Sequence, residues 1–113
     1  MGASDRLKAS NYVRSARASV TAAAKRGPLQ SLSDRELALR EHPVTVYPHA
    51  LQRRVRAWVR FGAEAVRVDA KIMRSTPLAV GIEFHGTEQT FRCWVWGNAV
   101  EIIEEIPQHD RYR

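Results

Sequence analysis

Arginine and tryptophan interleave along the second half of this chain, at Arg56, Trp58, Arg60, Arg67, Lys71, Arg92, Trp94 and Trp96. That combination has a chemistry. Guanidinium groups meet phosphates while indoles stack on bases, as on a platform for single-stranded nucleic acid. Residues suited to covalent or metal chemistry are sparser. His42, His49, His85 and His109 are scattered, and no pair is spaced to set two imidazoles on one helical face. Six glycines are spread singly, so no phosphate-cradling loop is present. The one cysteine, Cys93, leaves no internal disulfide and no multi-thiolate zinc site within one chain. Set between Phe91 and Val95, it is expected to face inward as an inert thiol of raised pKa. Glu101, Glu104 and Glu105 fit a solvated strand edge better than an acid–base pair. No catalytic, metal or cofactor set emerges, and the expectation is a protein that is not an enzyme.

A second basic set lies nearer the N-terminus. The net charge is +6, and it is unevenly placed: residues 1–54 carry ten Lys/Arg against four Asp/Glu, whereas residues 55–113 carry eight of each. A basic segment beside a neutral body points to a polyanion or an acidic protein surface as partner. The candidate nucleic-acid contacts are Lys8, Arg14, Arg17, Lys25 and Arg26, with Arg53 and Arg54 at the mouth of the strands that follow. Such groups contact mainly phosphates, giving affinity without sequence choice. The alternative surface is Arg60, Lys71, Arg92 and Trp94. Arginine outnumbers lysine 15 to 3 and alanine is plentiful, and GC-rich coding accounts for part of that whatever the function.

These residues need elements to hold them. With 113 residues, 44% hydrophobic and 27% charged, the chain is expected to form one soluble domain with a small core. No run approaches the roughly 18 apolar residues of a membrane span, and the polar start is not a signal peptide, so a cytoplasmic protein without a membrane partner is expected. A helix is predicted from about Asp5 to Arg26, capped by Ser4 and stopped by Gly27-Pro28. Ala9, Tyr12, Val13, Ala16, Val20, Ala23 and Ala24 fall in a stripe about 120° wide, shallow enough to dock on another element or on a second copy. Ser33-Asp34-Arg35-Glu36 spells a capping box, predicting a short helix to His42 that Pro43 ends. The connector 43–54 has no assigned structure.

From Val55 the apolar period becomes two. A turn at Gly62-Ala63, glycine first as a type II′ turn prefers, pairs Val59 with Val66, Ala57 with Val68 and Val55 with Ala70. A loop over residues 73–77 then pairs Val68 with Ile82 and Val66 with Phe84, and a turn at Gly86-Thr87 pairs Ile82 with Phe91 and Val80 with Cys93. All three registers gather the aliphatic side chains on one face. On the other face Trp58 meets Arg67, Arg67 meets Glu83, and Arg56 meets Asp69. Trp96 lies over Pro77 and Trp94 over Ala79 beside Gly81, leaving Arg60, Lys71 and Arg92 unpaired. Gly97-Asn98 either turns the chain back on the same hairpin or forms a 3₁₀ turn leading to a last strand.

The stretch Trp58 to Glu101, ending Arg92-Cys93-Trp94-Val95-Trp96-Gly97-Asn98-Ala99-Val100-Glu101, resembles small actinobacterial and actinophage proteins that end in a similar Trp-Val-Trp-x-x-Ala-Val-Glu segment. It covers under half of the chain and carries no function over. Asn98-Ala99-Val100-Glu101 is also similar to the last strand of SH3 domains, without their proline-gripping aromatic loops. The expected fold class is α+β: N-terminal helices, then a small five-stranded antiparallel SH3-like barrel or curved sheet. The expected units are a basic helical segment over 1–54, a β unit over 55–106 and a flexible tail over 107–113. The expected function is a small binding protein whose partner is DNA or RNA. The alternative is a protein-interaction or assembly module, docking its amphipathic helix on a protein partner or a second copy.

Overall fold

The computed structural model describes residues 2–103, with side chains from Lys8 onward. One long helix, α1 (Gly2–Arg26), precedes a one-turn helix, α2 (Asp34–Leu37), and six antiparallel strands. These are β1 (Thr45–Val46), β2 (Arg54–Phe61), β3 (Glu64–Ser75), β4 (Ala79–His85), β5 (Thr90–Trp96) and β6 (Val100–Ile102). The strand order is β5-β4-β3-β2-β6, with β1 paired to β3 beyond the start of β2. The class is α+β as the patterning predicts. The sheet has six strands rather than five because β1 falls in the unassigned connector, and it is open, with β5 and β6 at opposite ends of the order. The tail 107–113, with Glu104 and Glu105, lies outside the described residues.

Strands β2 and β3 pair in the expected register, Val59 with Val66, Ala57 with Val68 and Val55 with Ala70. Their turn is glycine-first: Gly62 sits at φ 61°, where a side chain would strain the backbone. The next two registers differ from expectation by even numbers of residues. Ile72, not Val68, faces Ile82, because β3 runs on to Ser75 and the chain reverses tightly over Thr76–Ala79. Thr76 makes that turn by accepting the N–H groups of Leu78 (3.2 Å) and Ala79 (3.0 Å) on its hydroxyl and donating its own N–H to Ala79 O (2.8 Å), with Pro77 following it. A bulge at Met73 absorbs one residue. Between β4 and β5 the loop holds four residues, 86–89, rather than two, so Ile82 faces Cys93 and Phe84 faces Phe91. Even shifts preserve faces, and the aliphatic side chains still converge: Val55, Val59, Val68, Ile82, Phe84 and Cys93 are buried together. Phe61, Phe84 and Phe91 close one end of this core, with ring centroids 5.4–6.2 Å apart.

Residues 97–99 form the 3₁₀ turn, and β6 crosses to β2, pairing Ile102 with Val55 and Val100 with Ala57. The connector after α1 spans the opposite gap. Its backbone bonds both β2 (Gln30 N–H to Arg60 O, 2.8 Å) and β5 (Leu32 N–H to Trp94 O, 3.0 Å).

Helix α1 starts at Gly2, so Ser4 lies inside it rather than at its cap, and it stops at Gly27-Pro28 as expected. Only its C-terminal half enters the core. Val20 and Ala23 are buried, whereas Ala9, Tyr12 and Val13 of the same stripe are exposed. The attachment is close: a Cβ on Gly27 would stand 2.7 Å from Gly62 Cα. The α2 capping box forms as spelled, Ser33 Oγ accepting from Glu36 N–H (3.1 Å) and Glu36 Oε1 accepting from Ser33 N–H (2.9 Å). The helix ends at Leu37, not His42, because Ala38 turns left-handed at φ 48°.

Candidate functional site

The cations divide into two populations. On the outer face of the sheet Arg56, Arg60, Arg67 and Arg92 are engaged, while Lys71 has no ion pair among the described residues. Arg56 Nε donates to Asp69 (3.3 Å) and Arg92 Nε to Glu83 (2.9 Å). Arg67 bonds Glu101 and lies 5.7 Å from the centroid of the Trp58 ring, a cation–π contact. Arg60 donates to Ala63 O (3.1 Å). The Arg56–Asp69 and Trp58–Arg67 pairs are those the β2–β3 register predicts. The expected Arg67–Glu83 pair is absent, because the longer β3 sets Lys71, not Arg67, opposite Glu83. Glu83 serves Arg92 instead, its direct neighbour across the β4–β5 pair, so Arg92 is not the spare cation it was expected to be.

The tryptophans are spread. Trp94 lies opposite Gly81, where a Cβ would touch the ring at an ordinary 3.4 Å but would stand 2.7 Å from Arg74 Cγ, so the glycine makes room for the Arg74 side chain rather than for the indole. Trp96 faces Ala79 rather than Pro77. Trp58 is 50% and Trp96 40% exposed, while Trp94 is half-buried, its backbone N–H donating to Ser31 Oγ at 2.9 Å.

The helix cations behave differently. Lys8, Arg14, Arg17 and Lys25 are all exposed, and none has an ion pair among the described residues. For the last three the reason is in the primary structure: no Asp or Glu occurs between Asp5 and Asp34, so no acid stands one turn away from Arg14, Arg17 or Lys25. On an ideal helix Arg14 and Lys25 lie about 20° apart around the axis and about 16 Å apart along it, with Arg17 about 60° to one side. Arg26 leaves this set. Its guanidinium clasps Glu64 through two bonds (2.7 and 3.0 Å), which holds the Glu64 carboxyl below its ordinary pKa and ties the helix end to the β2–β3 hairpin.

Between α1 and β3 runs a cleft of about 760 Å³, where Arg17 meets Arg54, Arg56, Arg67 and Lys71. Tyr12 closes one end, its hydroxyl donating to Asp69 Oδ2 (2.9 Å). That bond to a carboxylate raises the phenol pKa. The helix therefore brings Arg17 to the sheet cations, while Lys8, Lys25 and Arg53 stand outside the cleft. The cleft escaped the sequence reading; its one signal is the length of β3, which follows only from recognising Thr76-Pro77 as the turn. Cys93 faces inward as predicted, and burial pushes its thiol up to about 11.

Family models, curated proteins and solved structures return no match to this chain.

Proposed function

We propose that this is a small non-enzymatic binding protein that associates with nucleic acid through the unpaired cations of α1. One observation carries the reading: Arg14, Arg17 and Lys25 stand exposed and unneutralised on an anchored helix, whereas Arg26, Arg56, Arg67 and Arg92 are already paired. Unpaired cations release counterions from a phosphate backbone, and paired ones must first break a bond. Lys71, across the cleft from Arg17, extends the positive surface, and contacts of this kind select charge rather than base sequence. The engaged outer face is read as structural, its tryptophans serving the sheet. The test is anisotropy of labelled duplex and single-stranded DNA at low salt. Binding of both, undiminished in a folded Trp94→Ala variant, is expected. No binding, or selective loss of single-stranded binding in that variant, overturns the reading.

A second reading rests on Tyr12 and Val13, which are 56% and 46% exposed. Apolar groups left on an anchored helix suit a phage or bacterial assembly module that docks on a protein or on itself. Light scattering with and without DNA separates the two: a dimer that forms without DNA and is lost in Val13→Asp favours assembly.

The sheet itself we read as an opened SH3-like small barrel. The 3₁₀ turn before β6 and the return of β6 to β2 support this, as does the connector that bonds both β2 and β5 across the gap.

A further inference from the structure

Strand β3 outlasts its neighbour. β2 lines it from Glu64 to Lys71, but β4 joins only from Lys71 onward, so residues 64–70 have no strand on that side among the described residues. Which backbone groups face the gap follows from the hairpin. Across a two-residue turn the first pair, Phe61–Glu64, exchanges hydrogen bonds, and every second pair does so thereafter. Three bonds agree with that alternation. Ile72 N–H donates to Arg53 O (2.9 Å) between the strands, while Arg60 O and Arg54 O accept from Gln30 (2.8 Å) and Ile103 (3.0 Å) on the far side of β2. By the same alternation, the N–H and C=O groups of Ala65, Arg67 and Asp69 point away from β2, into the cleft below α1.

An unpaired strand edge is a template for another strand. Here the opposite wall is built from small side chains, Ser15, Ala16 and Ser19, and the floor is Val20, Val66 and Val68. An extended segment of five residues is about 17 Å long, enough to pair along Ala65–Asp69. The rim is charged. Of its cations, Arg56 and Arg67 are held by Asp69 and Glu101, Glu83 is taken by Arg92, and Arg17 and Lys71 face the cleft with no ion pair among the described residues. We propose that this cleft accepts an extended acidic peptide segment of a partner protein, added to β3 as a further strand. Its β-branched side chains meet the valine floor, and its carboxylates, alternating with them, meet Arg17 and Lys71. The site shares Arg17 and Lys71 with the proposed phosphate surface, while Arg14 and Lys25 lie outside it.

The probe is a seven-residue end-blocked peptide alternating valine and glutamate, titrated into the full chain while amide exchange is followed by NMR. In the free protein the amides of Ala65, Arg67 and Asp69 should exchange faster than those of Glu64, Val66 and Val68 by about tenfold or more. Saturating peptide should slow those three by a similar factor, and N-methylating alternate residues of the peptide should abolish the effect. Ala65→Pro removes an exposed N–H that the β2 ladder does not use; it should leave the circular dichroism unchanged and weaken peptide binding by about tenfold. The proposal is overturned if the three amides are as protected in the free protein as their neighbours, or if the N-methylated peptide binds equally well. It is also overturned if peptide at millimolar concentration leaves the three amides unmoved. A single-stranded oligonucleotide that protects them when the peptide does not assigns the cleft to nucleic acid and removes the peptide, without touching the helix reading.

Discussion

The outer face of the sheet and the exposed face of α1 are both rich in arginine, and their arginines differ in what stands beside them. In the sheet each cross-strand position offers a neighbour within reach, and Asp69 and Glu83 occupy those positions, while Glu101 lies within reach of Arg67. In the helix the residues one turn from Arg14 and Arg17 are Ser10, Asn11, Val13, Ala18, Val20 and Thr21, besides the two arginines themselves, and none is acidic. Arginine content alone therefore says little about binding. What counts is whether the fold supplies an acid, and the sheet does while the helix does not.

The largest effect is expected from Phe84→Ala, which empties the centre of the aromatic cluster and should cost about 3–5 kcal/mol by denaturant melting. If the helix is only an appendage of the sheet, its ellipticity should be lost in the same transition. A separate helical transition would mean that α1 is stable without its dock. Alkaline stability comes next. The Cys93 thiol titrates at about 11 when folded and near 9 when unfolded, so the folded state holds the proton longer. Stability is then intact below pH 9 and falls by about 2–3 kcal/mol as the pH rises through 11. Cys93→Ala should remove that component, and a wild-type curve superimposable on the variant's would show that the thiol is not desolvated.

Gly27→Ala forces the helix end off the Gly62 turn and should cost about 1–3 kcal/mol, with NMR shifts concentrated at residues 60–64. Replacing Arg56 by Gln should lower stability by less than about 1 kcal/mol, because the ion pair is half exposed; a larger loss would promote this pair from trimming to framework. The smallest effect concerns the Arg26–Glu64 tie. The Glu64 carboxyl is held below its ordinary pKa, so the tie is present above the unfolded carboxylate range and is lost as pH falls through the folded value. A double-mutant cycle should show coupling at pH 7 that vanishes in acid.

How much of this was legible depended on turn chemistry. Gly62-Ala63 announces its own geometry, and the β2–β3 register with its Arg56–Asp69 and Trp58–Arg67 pairs followed from it. A loop over residues 73–77 puts Thr76-Pro77 at its end, whereas Thr76-Pro77 is the turn itself, and the Met73 bulge leaves no trace in an alternating pattern. Faces survived because both slips were even, yet partners did not: Glu83 moved from Arg67 to Arg92. Periodicity located the apolar stripe of α1 but not how far the sheet would reach along it. Val20 and Ala23 are covered, whereas Tyr12 and Val13 extend past the core. The cleft was invisible for a related reason, since it exists only where β3 continues and β4 does not.

The most direct test of the central claim is the salt dependence of duplex DNA binding in two charge-removal variants compared side by side. Four or five phosphate contacts give a log–log slope of about −4 for the wild type. Arg14→Gln, Arg17→Gln and Lys25→Gln together, which leave helix propensity nearly unchanged, should flatten it by about three units. Arg56→Gln, Arg67→Gln and Arg92→Gln together should leave it within about one unit. A slope that the helix variant leaves intact and the sheet variant flattens would contradict the account.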